Sequence, residues 1–135
     1  MADYVIAREL PDTDYDTAVQ RVTELLSREG FGVLTEIDVR ATLRKKLDVE
    51  FKPYVILGAC NPPLAHQALS AEPMIGALLP CNVVVMAREG GGSVVAAFSP
   101  TVGFQMVGNP GVQPIAAEVE ARLVRVLDGL GARRP

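Results

Sequence analysis

Two apolar runs in this chain carry matching punctuation, which limits how the chain can fold. The run Phe51–Cys60 closes on Gly58-Ala59-Cys60-Asn61-Pro62-Pro63, and the run Val83–Met86 opens just after Leu79-Pro80-Cys81-Asn82. Each Cys-Asn pair stands where a strand-like stretch ends or begins, with proline alongside. If the two runs pair antiparallel, the end of the first meets the start of the second. Both thiols then lie at one end of a single sheet.

The rest of the chain supplies elements to go with that pair. Tyr4–Ala7 reads as a first strand, and Asp12–Asp16 as a helix start rich in capping side chains and acids that suit the positive helix end. Ala18, Val22, Leu25 and Leu26 recur at helical spacing, and Gly30 is a natural stop. Phe31–Val39 alternates as a second strand, with Val33, Thr35, Ile37 and Val39 on one face. A short helix over Arg40–Leu47 turns Leu43 and Leu47 inward. After the third strand, Phe51–Cys60, Asn61 caps a third helix with Pro62 in its first position, and Pro73 ends it. Met74–Leu79 reads as a buried connection. Val83–Met86 and Val94–Phe98 make a hairpin across Glu89-Gly90-Gly91-Gly92. Ser99–Pro114 reads as a loop or lid, and Gln113–Leu130 as a closing helix. This order predicts an α+β, two-layer α/β fold, a mixed β-sheet of about five strands packed against helices. Residues 1–135 make a single domain by length, with a core over about 4–130 and a frayed tail over 131–135.

Composition narrows the function classes. The chain is 49% hydrophobic and 21% charged, with a net charge of -3, so no positive field draws it to nucleic acid or to a membrane surface. Aromatic residues make up only 5% and Trp is absent, which argues against base-stacking platforms. The start Met1-Ala2-Asp3-Tyr4 lacks the basic and apolar regions of a signal peptide, and no apolar run reaches the roughly 18 residues of a membrane span. These features lead us to expect a cytoplasmic location, where both cysteines stay reduced.

Cys60 is the first site candidate. It ends a strand just before a capped helix N-terminus, where free N–H groups and the helix dipole favour a thiolate. Free cysteines are also common as small core residues, and that reading stands beside the first. Cys81 joins Cys60 through the expected pairing. His66, the one histidine, lies five residues past Asn61. Together Cys60, Cys81 and His66 offer donors for zinc or copper, although no Cys-x-x-Cys spacing is present. Arg40, Arg44, Lys45, Lys46 and Lys52 gather in one stretch, either to meet an anion or as the solvated face of a helix. Gly90-Gly91-Gly92 lies between strands and lacks the Lys and Ser/Thr of a phosphate loop, so it reads as a turn.

Three elements also carry a family likeness. They are Val39-Arg40-Ala41-Thr42-Leu43, then Phe51-Lys52-Pro53-Tyr54 leading into Leu57-Gly58-Ala59-Cys60-Asn61-Pro62, then Leu78-Leu79-Pro80-Cys81-Asn82-Val83-Val84-Val85. Together they resemble the domain of unknown function 302 family of bacteria and archaea, from about Tyr4 to Leu130. The resemblance implies a compact two-layer α/β domain, soluble and homodimeric, with motif positions on Cys60, Asn61, Pro62, Pro80, Cys81 and Asn82. It implies no particular activity.

Three functional expectations follow. The first is a small binding domain with a small-molecule or soft-metal pocket near Cys60 and Cys81. In it Asn61 and Asn82 supply amide contacts, Arg40 or Lys52 an anion contact, and Ser99–Pro114 a cover. The second is a thiol-dependent enzyme or redox protein with Cys60 as nucleophile and Cys81 as resolving thiol. The third is a structural or interaction protein whose cysteines only pack.

Overall fold

The computed structural model describes residues 3–131, so the end of the expected tail lies outside the described residues. Five strands form one sheet: β1 (Val5–Leu10), β2 (Gly32–Asp38), β3 (Tyr54–Cys60), β4 (Cys81–Ala87) and β5 (Ser93–Phe98). Around it lie α1 (Tyr15–Arg28), α2 (Val39–Leu47), α3 (Pro62–Ala71), the single turn α4 (Pro100–Gly103) and α5 (Gln113–Asp128). The fold is α+β, five strands with helical cover, as the element order implies.

The strand order is β1-β5-β4-β3-β2, and every neighbouring pair is antiparallel. The expected mixed sheet is therefore corrected to an antiparallel one. A parallel neighbour needs a connection that runs back along the sheet before the next strand begins. Here α2 buries none of its residues, so it does not lie across the sheet as a crossover. The chain instead re-enters beside β2 from the same end. Between β3 and β4, α3 runs out and a 3-10 turn over Pro73–Leu78 brings the chain back. The one long crossover, through α1, joins strands at opposite edges.

One face of the sheet makes the core. Val55, Leu57 and Ala59 of β3, Cys81, Val83 and Val85 of β4, and Val95 and Ala97 of β5 are all buried. Against them pack Ala18, Val22 and Leu26 of α1 and Val119, Leu123, Val126 and Leu127 of α5. These helical residues repeat every three or four positions, the stripe an amphipathic helix lays on a sheet. A second cluster joins Ala68, Ile75, Phe104, Val112 and Ala116. It fixes the Ser99–Pro114 segment, which is a packed wall of short helical turns and not the loop or lid expected.

Two further details depart from the sequence reading. A bulge between Val33 and Thr35 sets Val33 opposite Ala59 but Thr35 opposite Gly58, so the two face opposite sides of the sheet. Leu47 is 66% exposed, not turned inward, because α2 has nothing beneath its far end.

Candidate functional site

The register brings the two cysteines to one end of the sheet. Ala59 pairs with Cys81 and Gly58 with Asn82, so Cys60 and Cys81 sit diagonally across the β3–β4 ladder. Gly58 has no alternative there: a Cβ would collide with Thr35 and Pro80. Both cysteines are free thiols, Cys60 half-buried and Cys81 6% exposed. Burial, followed by the neighbouring Cys60, pushes the Cys81 thiol from 9.0 up to about 11. Cys81 therefore stays protonated throughout the physiological range.

Cys60 and Cys81 border the same cavity, of about 40 Å³, whose walls include Leu64, Phe104, Ile115 and Val119. It is the size of about two or three water molecules. A drug-sized ligand needs roughly 300 Å³ or more. The walls are nearly all apolar, so the two sulfur atoms are its main chemical feature.

Asn61 is occupied by the fold. Its Oδ1 accepts the Leu64 N–H at 3.3 Å, capping α3, and its Nδ2 donates to the Glu29 carbonyl at 3.3 Å. Arg122 Nη1 donates to the same carbonyl at 3.0 Å. With both ends engaged and 6% exposed, the Asn61 amide ties the end of α1 to the start of α3. Asn61 also borders the thiol cavity, so this structural clip stands at the cavity's edge.

The other expected site residues scatter. Asn82 is exposed on the sheet face opposite the core, in a groove of about 470 Å³ with Tyr4, Tyr54, Pro80, Met86 and Phe98. Arg40 borders two surface depressions with Asp38, and Lys52 is exposed in the approach to β3; neither lines the thiol cavity. His66 is exposed on α3. Among the described residues no three His, Cys, Asp or Glu side chains stand close enough to hold a metal ion. The donor set Cys60, Cys81 and His66, expected for zinc or copper, is thus not assembled. A histidine on the solvent side of α3 cannot reach sulfurs beneath the helix's apolar side.

Leu79 and Pro80, part of the motif singled out in the sequence, border both the thiol cavity and the outer groove and so form the wall between them. Sequence reasoning missed Phe104, which closes the cavity from a segment read as a loop. The signal for Phe104 was its place as a lone aromatic among glycines and prolines. Among the described residues no helix is long and apolar enough to cross a membrane.

Comparison with known proteins agrees with this architecture. The model of the family described as "Domain of unknown function DUF302" matches residues 6–130. The crystal structure of an uncharacterized conserved DUF302 protein from Bacillus stearothermophilus is similar, with a TM-score of 0.86 and 34% sequence identity. The match covers 94% of this chain and 98% of that one. None of the curated proteins compared with the chain matches it. With nearly its whole length matched by the family model, and the Cys-Asn pairs meeting at one end of the sheet, the chain belongs to the DUF302 family.

Proposed function

We propose that this domain works through Cys60, as a small thiol protein that engages compact, uncharged molecules at the mouth of the Cys60–Cys81 cavity. The observation that carries this reading is the shared lining: a half-buried thiol and a buried one border a single apolar cavity where β3 hands over to α3. The cavity is too small to enclose a large ligand, which favours chemistry at the half-buried Cys60 sulfur over capture of a bulky molecule. Cys81, protonated at neutral pH, is the second thiol and not the first to react. A reducing cytoplasm is the compartment this reading requires, since both sulfurs must remain thiols.

Native alkylation at neutral pH tests it. Mass spectrometry after iodoacetamide treatment should show one adduct, on Cys60, which the Cys60→Ser variant loses. Cys81 should react only after unfolding. If neither thiol reacts until the protein is denatured, the cysteines are packing residues and the proposal fails.

A further inference from the structure

The outer groove is built by the alternation of β4 and β5. Val83, Val85, Val95 and Ala97 point into the core, so their neighbours Asn82, Val84, Met86, Ala96 and Phe98 point out. Ala96 pairs with Val84, which places the shortest of these side chains in the middle of the floor. It is 8% exposed yet belongs to neither buried cluster, as the bottom of a hollow does. Leu78, Leu79 and Pro80 close the hollow at the Asn82 end, and Tyr54, which pairs with Met86, stands at the other. From Asn82 to Met86 the strand runs about 14 Å, at about 3.4 Å per residue. We propose that this groove binds a neutral, ring-bearing small molecule whose edge carries one hydrogen-bonding group for the Asn82 amide.

Size, charge and lining select that occupant. The groove's volume of about 470 Å³ lies within the roughly 300–1,000 Å³ of sites that hold drug-sized ligands. None of the residues that line it is charged, so an ion entering it would shed water with nothing to replace it. A peptide would bring a row of backbone groups, and only the Asn82 amide and the hydroxyls of Tyr4 and Tyr54 could answer them. Phe98, the two tyrosines and Met86 instead offer ring faces, ring edges and a thioether, surfaces that pack well on another ring. The inference goes beyond the thiol reading and is independent of it. Neither cysteine lines the groove, and Leu79 with Pro80 separates it from the Cys60–Cys81 cavity.

Two dyes with one skeleton test it. Phenylnaphthylamine is neutral and carries a single N–H, whereas anilinonaphthalene sulfonate adds a negative charge; both brighten in an apolar site. Fluorescence titration should show saturable binding of one phenylnaphthylamine per chain, roughly tenfold or more tighter than the sulfonate. Ala96→Leu fills the floor, and Asn82→Asp sets a charge at an exposed position on the rim. Each should weaken phenylnaphthylamine binding roughly tenfold or more, with far-UV circular dichroism unchanged. Cys60→Ser should bind it as the wild type does, whatever the alkylation of Cys60 shows. Absence of saturable binding, preference for the sulfonate, or full binding by both folded groove variants overturns the proposal. So does a wild type that takes up no dye and runs at twice the chain mass in light scattering, which would give the face to a second copy.

Discussion

Asn61 shows how one side chain can join three elements. Its carbonyl oxygen caps α3, and its amide nitrogen donates to the carbonyl of Glu29, the residue just after α1, a carbonyl that Arg122 of α5 also reaches. Asn61→Ala removes the cap and one of two donors to that carbonyl. The expected loss is about 1–2 kcal/mol, read as a lower urea midpoint with unchanged slope. Cys81 makes a second prediction at this scale. Its folded-state thiol titrates at about 11 against 9.0 when free, so between these values the unfolded chain has lost a proton that the folded chain keeps. Stability conferred by the buried neutral thiol is complete below about pH 9 and declines as pH rises towards 11. Cys81→Val should flatten that alkaline decline, measured by chemical denaturation from pH 8 to 11. An identical decline in the variant would mean that the loss comes from other groups.

At the level of elements, one carboxylate clips the start of the Ser99–Val112 segment. Glu120 of α5 accepts from Ser99 Oγ and Thr101 Oγ1 at 2.6 Å each, and from the Thr101 N–H at 3.2 Å. Burial pushes this carboxyl up, but the hydrogen bonds from Ser99 and Thr101 outweigh it and hold the group below its ordinary value. Its contribution is therefore present above the ordinary carboxylate range and is lost as pH falls through the lowered value. Glu120→Ala leaves the buried Ser99 hydroxyl without its acceptor and should cost about 1–2 kcal/mol. Hydrogen exchange should quicken first over 100–112, while β3 and β4 stay protected; uniform quickening would refute a local clip. This clip also explains why the segment misleads as sequence. Three prolines and three glycines within Ser99–Pro114 signal a loop, and they do break it into short turns. What holds it is Phe104 and Val112 packing on Ala68 and Ile75, contacts between residues about 30 or more positions apart.

For the whole molecule, local patterns determined which stretches become strands and helices. The capped start at Asp14, the cap at Asn61 followed by two prolines, and the glycine run with positive φ in the β4–β5 turn are interactions among near neighbours. A chain carries such information in its order alone. The meeting of Cys60 with Cys81 was legible for the same reason, since strands joined by a short excursion pair at their near ends. Tertiary structure alone decided the fully antiparallel order, the structural use of Asn61, the exclusion of His66 from the thiols and the exposure of one apolar sheet face. The physical reason lies in β4 and β5, whose sequences Val83-Val84-Val85-Met86 and Val94-Val95-Ala96-Ala97 are apolar on both sides. Such a run states that both faces disfavour water. It does not state that helices cover one face only, because that depends on where α1 and α5 come to rest.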